Sequence, residues 1–125
     1  MINKELLLSR IQTPDGTFIC SRSLNDLGEH TDKNGKYYGI EGGLAYQRIF
    51  YDKKDYIDAS IYTTDDFTII RENIVWDTYG IDGNDELKHV RIKDLELDHI
   101  ENILLLPSLS MVFENMLLSE IEFRK

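Results

Sequence analysis

His30, Asp32, Asn34, Gly35 and Glu41 stand at the spacings of a calcium-binding loop. Counted from His30, Asp32 falls at position 3, Asn34 at position 5, Gly35 at the sharp-turn position 6 and Glu41 at the bidentate position 12. Asp32, Asn34 and Glu41 would supply hard oxygen ligands to a divalent cation. Position 1 breaks the pattern, because His30 offers a nitrogen suited to softer metals. An EF-hand also needs flanking helices, whereas Phe18 to Ser23 is β-prone and Gly39, Gly42 and Gly43 would break an exiting helix. An ordinary β-hairpin therefore outranks a metal loop. A type I′ turn at Asn34-Gly35 predicts Lys33 opposite Lys36 and Thr31 opposite Tyr38.

The remaining chemistry-bearing residues form no constellation. His30, His89 and His99 are dispersed, without His-x-x-x-His or Cys-x-x-Cys spacing for zinc. Cys20 is the sole cysteine, so no disulfide can form within the chain, and its place in a β-prone run reads as a small buried residue. Asp65 with Asp66, and Asp82 with Asp85, read as helix-capping and turn carboxylates. Gly39-Ile40-Glu41-Gly42-Gly43 lacks the lysine of a phosphate loop. No cofactor is expected, and the chain reads as a binding protein ahead of an enzyme. Amphipathic aromatics are the residues that anchor protein interfaces, which makes Tyr37, Tyr38 and Trp76 candidate contacts.

The elements that would carry these residues divide the chain into a β-rich first half and a helical second half. Thr13-Pro14-Asp15-Gly16 predicts a hairpin pairing Ile11 with Ile19 and Gln12 with Phe18, and leaves the buried face open. Leu24 to Glu29 reads as a polar connection and Leu44 to Tyr51 as extended. Tyr56 to Thr63 reads as a strand with Ile57, Ala59 and Ile61 on one face. Helices are expected near Asp65 to Trp76, Asp94 to Leu106 and Pro107 to Phe123, with Gly80 and Asp82-Gly83-Asn84-Asp85 ending the first and Leu87 to Ile92 a strand. The expected fold is α+β: an antiparallel sheet of N-terminal hairpins packed against two or three helices from the second half, in a single domain, 1–125.

The final helix is expected to show a stripe of Phe113, Met116, Leu117 and Ile121. Met111 and Leu118 add apolar surface outside it, which predicts a partner groove or a homodimer at this helix. Fourteen basic against 23 acidic residues give a formal charge of −9, which opposes binding to nucleic acid or anionic membrane; the charge reads first as maintaining solubility, and otherwise favours a positively charged partner. The acidic residues are interleaved with basic ones, which weakens mimicry of a nucleic acid. Leu6-Leu7-Leu8 is too short for a signal peptide or a membrane span, so a cytoplasmic protein is expected.

Ser9-Arg10-Ile11-Gln12-Thr13-Pro14-Asp15-Gly16-Thr17, then Asp32-Lys33-Asn34-Gly35, Gly42-Gly43 with Tyr46 and Arg48, Trp76-Asp77-Thr78-Tyr79-Gly80 and Glu120-Ile121-Glu122-Phe123-Arg124 resemble, as a set, a family of small uncharacterised accessory proteins of tailed bacteriophages and prophages. The resemblance covers nearly the whole chain. It implies a phage-encoded viral protein working in the host cytoplasm, and carries no known chemistry. The leading expectation is an accessory protein that binds a host protein, such as a host enzyme or defence factor. The alternatives are a small metal-dependent enzyme or metal-binding protein with its site at the 30–41 hairpin, and a minor virion or assembly component.

Overall fold

The computed structural model describes residues 4–79 and 86–125. Among these residues the fold is α+β, with antiparallel strands in the first half and three helices in the second. The chain divides into two compact units, Met1–Asp65 and Asp66–Lys125, each with its own core.

In the first unit, β1 (Leu6–Gln12) pairs with β2 (Phe18–Ser21) in the expected register, Ile11 opposite Ile19 and Gln12 opposite Phe18. The hairpin closes by Gly16 N–H donating to the Thr13 carbonyl and Thr13 N–H donating to the Thr17 carbonyl, both at 2.9 Å. Gly16, at φ 90°, takes the left-handed position after a type I turn. Ile11 and Ile19 face inward together with Ser9 and Ser21, while Arg10, Gln12 and Phe18 face out. Cys20 alternates with them and is half-buried, not the buried core residue expected.

The other edge of β1 is covered by β6 (Ile57–Asp58) and then β7 (Ile61–Tyr62). The single strand expected from Tyr56 to Thr63 is thus broken in two. Ser60 breaks it: its N–H donates to Asp58 Oδ1 at 2.9 Å and its hydroxyl accepts from Arg10 N–H at 3.1 Å. The break rotates Ile57 out to 62% exposure and leaves Ile61 buried.

A second sheet runs β3 (Gly28–Thr31), β4 (Tyr37–Glu41), β5 (Arg48–Tyr51). Gly28 and Glu29 belong to this strand and not to the preceding connection. Its central hairpin corrects the expected turn. Thr31 pairs with Tyr37 and His30 with Tyr38, one residue off the type I′ register. Gly35 N–H donates to the Asp32 carbonyl at 3.0 Å and Asp32 N–H to the Lys36 carbonyl at 2.9 Å, the same turn as in the first hairpin. Only Gly35 takes positive φ, at 82°, and Asn34 does not. Asp32 decides the outcome, because its Oδ1 accepts from the N–H groups of Asn34 and Lys36 at 2.8 and 2.9 Å. Leu44 to Tyr46 forms a turn on the Gly42 carbonyl, so only Arg48–Tyr51 of the expected extended segment is strand. Ile11 and Ile19 of the first sheet meet Tyr38 and Ile40 of the second in one core.

In the second unit, α1 (Phe67–Asn73) starts at Asp66, whose Oδ1 accepts from Thr68 N–H at 3.0 Å. The helix ends at Asn73, three residues short of Trp76, because Ile74 turns to extended backbone and leads into β8 (Val75–Thr78). Gly80 and the Asp82-Gly83-Asn84-Asp85 cluster lie outside the described residues. Strand β8 pairs with β9 (Lys88–Arg91), and a 3-10 turn (Ile92–Asp94) follows. Asp94 sits in that turn, so α2 (Leu97–Leu104) is preceded at its N-cap by Glu96 and not by Asp94. The last helix, α3 (Met111–Phe123), starts after Ser110 and not at Pro107. The Ser110 hydroxyl accepts from Phe113 N–H at 3.2 Å, satisfying a first-turn donor that Pro107 leaves to the connecting turn.

Leu95, Ile100, Ile103 and Leu117 form the core of this unit, with Trp76, Val90, Phe113 and Ile121 packed against it. Burial of aliphatic side chains of this size stabilises by about 1.5–3 kcal/mol each. No helix among the described residues is long and apolar enough to cross a membrane.

Candidate functional site

The 30–41 hairpin does not assemble a cation site. Asp32 and Asn34 lie in the turn, with Asp32 Oδ1 occupied by two backbone N–H groups. Glu41 lies at the far end of the five-residue β4, opposite Arg48, its Oε1 3.7 Å from the guanidinium. Five residues of strand span roughly 15 Å, far beyond the reach of a shared ion. Among the described residues no group of three His, Cys, Asp or Glu side chains is placed to hold a metal.

What gathers near this turn is a network of Asp15, His30, Tyr38 and Asp55. Asp15 Oδ2 lies 2.9 Å from His30 Nε2, and Asp15 Oδ1 accepts from the Thr13 hydroxyl and from Thr17 N–H. Hydrogen bonds from Thr13 and His30 hold the Asp15 carboxyl well below the usual carboxylate range. The Tyr38 hydroxyl donates to Asp55 Oδ1 at 2.5 Å. That bond, then burial, then the charges of Asp55, Asp32 and Asp15 push the Tyr38 phenol up to about 12. Lys36 Nζ stands 3.5 Å from Asp55 Oδ2. A histidine beside a carboxylate invites an acid-base reading. The two hydroxyls here, of Thr13 and Tyr38, are both buried and donate to Asp15 and Asp55 instead of to His30, so neither is paired with the histidine as nucleophile with base. The Asp15–His30 bond ties the first hairpin turn to β3, and the Tyr38–Asp55 bond ties β4 to the connection that follows β5.

Tyr38 is wholly buried and belongs to the core, which removes it from the candidate contact residues. Tyr37 is half-buried, and its hydroxyl donates to Glu29 Oε2 at 2.9 Å. Trp76 packs on the core of the second unit, its ring 5.0 Å from that of Phe113. Met111 and Leu118 are different: they are 75% and 48% exposed, on one face of α3 at i and i+7. The turn preceding this helix adds Leu105, 80% exposed, and Leu106.

One site of the second unit was not legible as such in the sequence. Glu120 is wholly buried and accepts from Arg71 Nε and a terminal nitrogen at 2.7 and 2.8 Å, and from Arg124 Nε at 2.6 Å. Arg124 also donates to the carbonyls of Ile92, Lys93 and Leu95, and Arg71 lies over the Phe123 ring. Burial raises the Glu120 carboxyl, but the arginine hydrogen bonds and charges outweigh it, so the group sits below its ordinary value. Both carboxylate oxygens are engaged internally and the side chain is wholly buried, so the triad fastens α1, the 3-10 turn and α3 together. The i, i+4 spacing of Glu120 and Arg124 was the visible signal, and Arg71 is 49 residues away in sequence.

The two remaining histidines each meet a partner of their own, His89 with Asp77 across the β8–β9 ribbon and His99 with Thr78. Among the described residues the polar clusters are thus engaged within the fold, and the turn after α2 and the α3 helix carry a run of exposed apolar side chains. Comparison with family models, with curated proteins and with solved structures gives no match to this chain.

Proposed function

We propose that this chain is a non-enzymatic accessory protein of bacteriophage type that acts by binding a host protein, with the α2–α3 surface as the contact. The supporting observation is the exposure of Leu105 at 80% and Met111 at 75%, continued along α3 by Leu118. Large aliphatic side chains left in water in one stretch of a folded unit mark an interaction surface. The internal use of the polar clusters argues against catalysis. The test is affinity purification from host lysate with the wild type and a Met111→Glu, Leu118→Glu double variant. A partner retained by the first and lost by the second is expected. Recovery of the same proteins by both, or of none in more than one host background, would defeat the proposal.

A further inference from the structure

We infer that the α2–α3 face receives a cationic amphipathic helix of its partner, an inference that rests on that face being the contact surface. The first ground is charge. Residues 66–125 hold thirteen acidic and six basic residues, against ten and eight in 1–65, so the second unit carries most of the net charge. Within it, residues 94–123 contain seven acidic residues and neither lysine nor arginine. Glu120 is neutralised internally by Arg71 and Arg124. The other six, Asp94, Glu96, Asp98, Glu101, Glu114 and Glu122, are all exposed, and Glu122 meets Lys125 at 3.2 Å.

The second ground is the spacing of the exposed apolar residues. Met111 and Leu118 are two turns apart on one helix face, and Leu105 and Leu106 lie in the turn that leads into it. A ridge at i, i+7 matches the apolar stripe of a partner helix, and methionine adapts to such a stripe. A second copy of this chain is disfavoured, since it would bring carboxylates against carboxylates without a cation from either α2 or α3. An anionic membrane surface is disfavoured for the same reason. A partner helix with leucine-type residues on one face and lysine or arginine on its flanks satisfies both grounds.

The probe is a labelled peptide of leucine and lysine at amphipathic helical spacing, about 18 residues or five turns long. Its controls are a scrambled peptide of the same composition and a leucine-glutamate analogue. Anisotropy measures binding and circular dichroism measures peptide helicity. The wild type is expected to bind the amphipathic peptide with gain of helix, and the analogue not at all. Met111→Ser with Leu118→Ser, and separately Glu101→Gln with Glu114→Gln, should each weaken binding about tenfold or more. Trp76 fluorescence confirms that each variant is folded. Equal binding of the scrambled peptide overturns the inference, as does indifference to either pair of substitutions. A wild-type dimer in sedimentation that the Met111→Ser, Leu118→Ser variant abolishes also overturns it, by assigning the face to a second copy. If lysate capture succeeds but the segment mapped on the partner lacks basic residues, the inference fails while the protein-binding function stands.

Discussion

Glu120→Gln tests whether the buried triad holds the second unit together. The carboxylate is wholly buried, and the side chains of Arg71 and Arg124 are 17% and 28% exposed. The amide keeps the volume but removes the charge, and turns a donor toward guanidinium groups that are themselves donors. Stranding one partner of a buried ion pair costs about 3–5 kcal/mol. Arg124 keeps three carbonyl acceptors and both arginines retain some water, which places the expected loss near the lower figure, about 3 kcal/mol. With a urea m-value of about 1–2 kcal/mol per M, the unfolding midpoint should fall by about 1.5 M or more. Trp76 is the sole tryptophan and packs in this unit's core, so its fluorescence reports the transition. Glu122→Gln is the control. It lies two residues along the same helix, its side chain is 77% exposed beside Lys125, and it should change stability by less than about 0.5 kcal/mol. The carboxyl of Glu120 is lowered from 4.5 in the folded chain, so its stabilisation is present above that pH and is lost as pH falls through the folded value. The gap between wild type and Glu120→Gln should therefore be constant near neutrality and narrow in acid. A Glu120→Gln midpoint matching that of Glu122→Gln, or a gap unchanged in acid, would refute the reasoning.

Two further substitutions probe the first unit by urea or thermal unfolding. Gly35→Ala places a side chain at φ 82° in open space and should cost about 1–2 kcal/mol, whereas Gly42→Ala adds a Cβ 1.9 Å from the Tyr46 carbonyl oxygen and should cost more; equal effects would mean that the close approach is not what the site requires. Ser21→Ala removes a wholly buried hydroxyl that accepts from Gly43 N–H at 2.9 Å and donates to the Asp26 carbonyl at 2.6 Å; a loss of about 1–3 kcal/mol is expected, and a neutral result would show that the two backbone groups find other partners.

The sequence carried the α+β division and the β1–β2 register because both rest on local rules. Pro14-Asp15-Gly16 sets a turn at a fixed offset, and Asp66 caps a helix within its own first turn. The central hairpin went astray by one residue for an equally local reason: Asn34-Gly35 fits a two-residue turn, but the Asp32 carboxylate rewards a longer one. Longer-range features were hidden. Tyr38 reads as an amphipathic surface aromatic until Asp55, 17 residues on, supplies a partner for its hydroxyl inside the core. Glu120 reads as a polar helix position until Arg71 closes on it. The acidic surface of 94–123 was present in the sequence as a missing residue type, and became meaningful only when α2 and α3 proved adjacent and exposed.

The strand β1 is paired on its two edges by chain of very different provenance. On one edge β2 returns after a five-residue turn; on the other, β6 and β7 arrive from about fifty positions away, as in the Arg10 bond to Ser60. Loop closure is cheap for the first and slow for the second. The first hairpin is therefore the natural nucleus of this unit, and its transition state should hold native contacts at Ile11 and Ile19 while Ile61 is still solvated. Until β6 and β7 dock, one whole edge of β1 stands open to pairing with any strand that meets it, so the time this unit spends half-folded is its period of greatest exposure to aggregation.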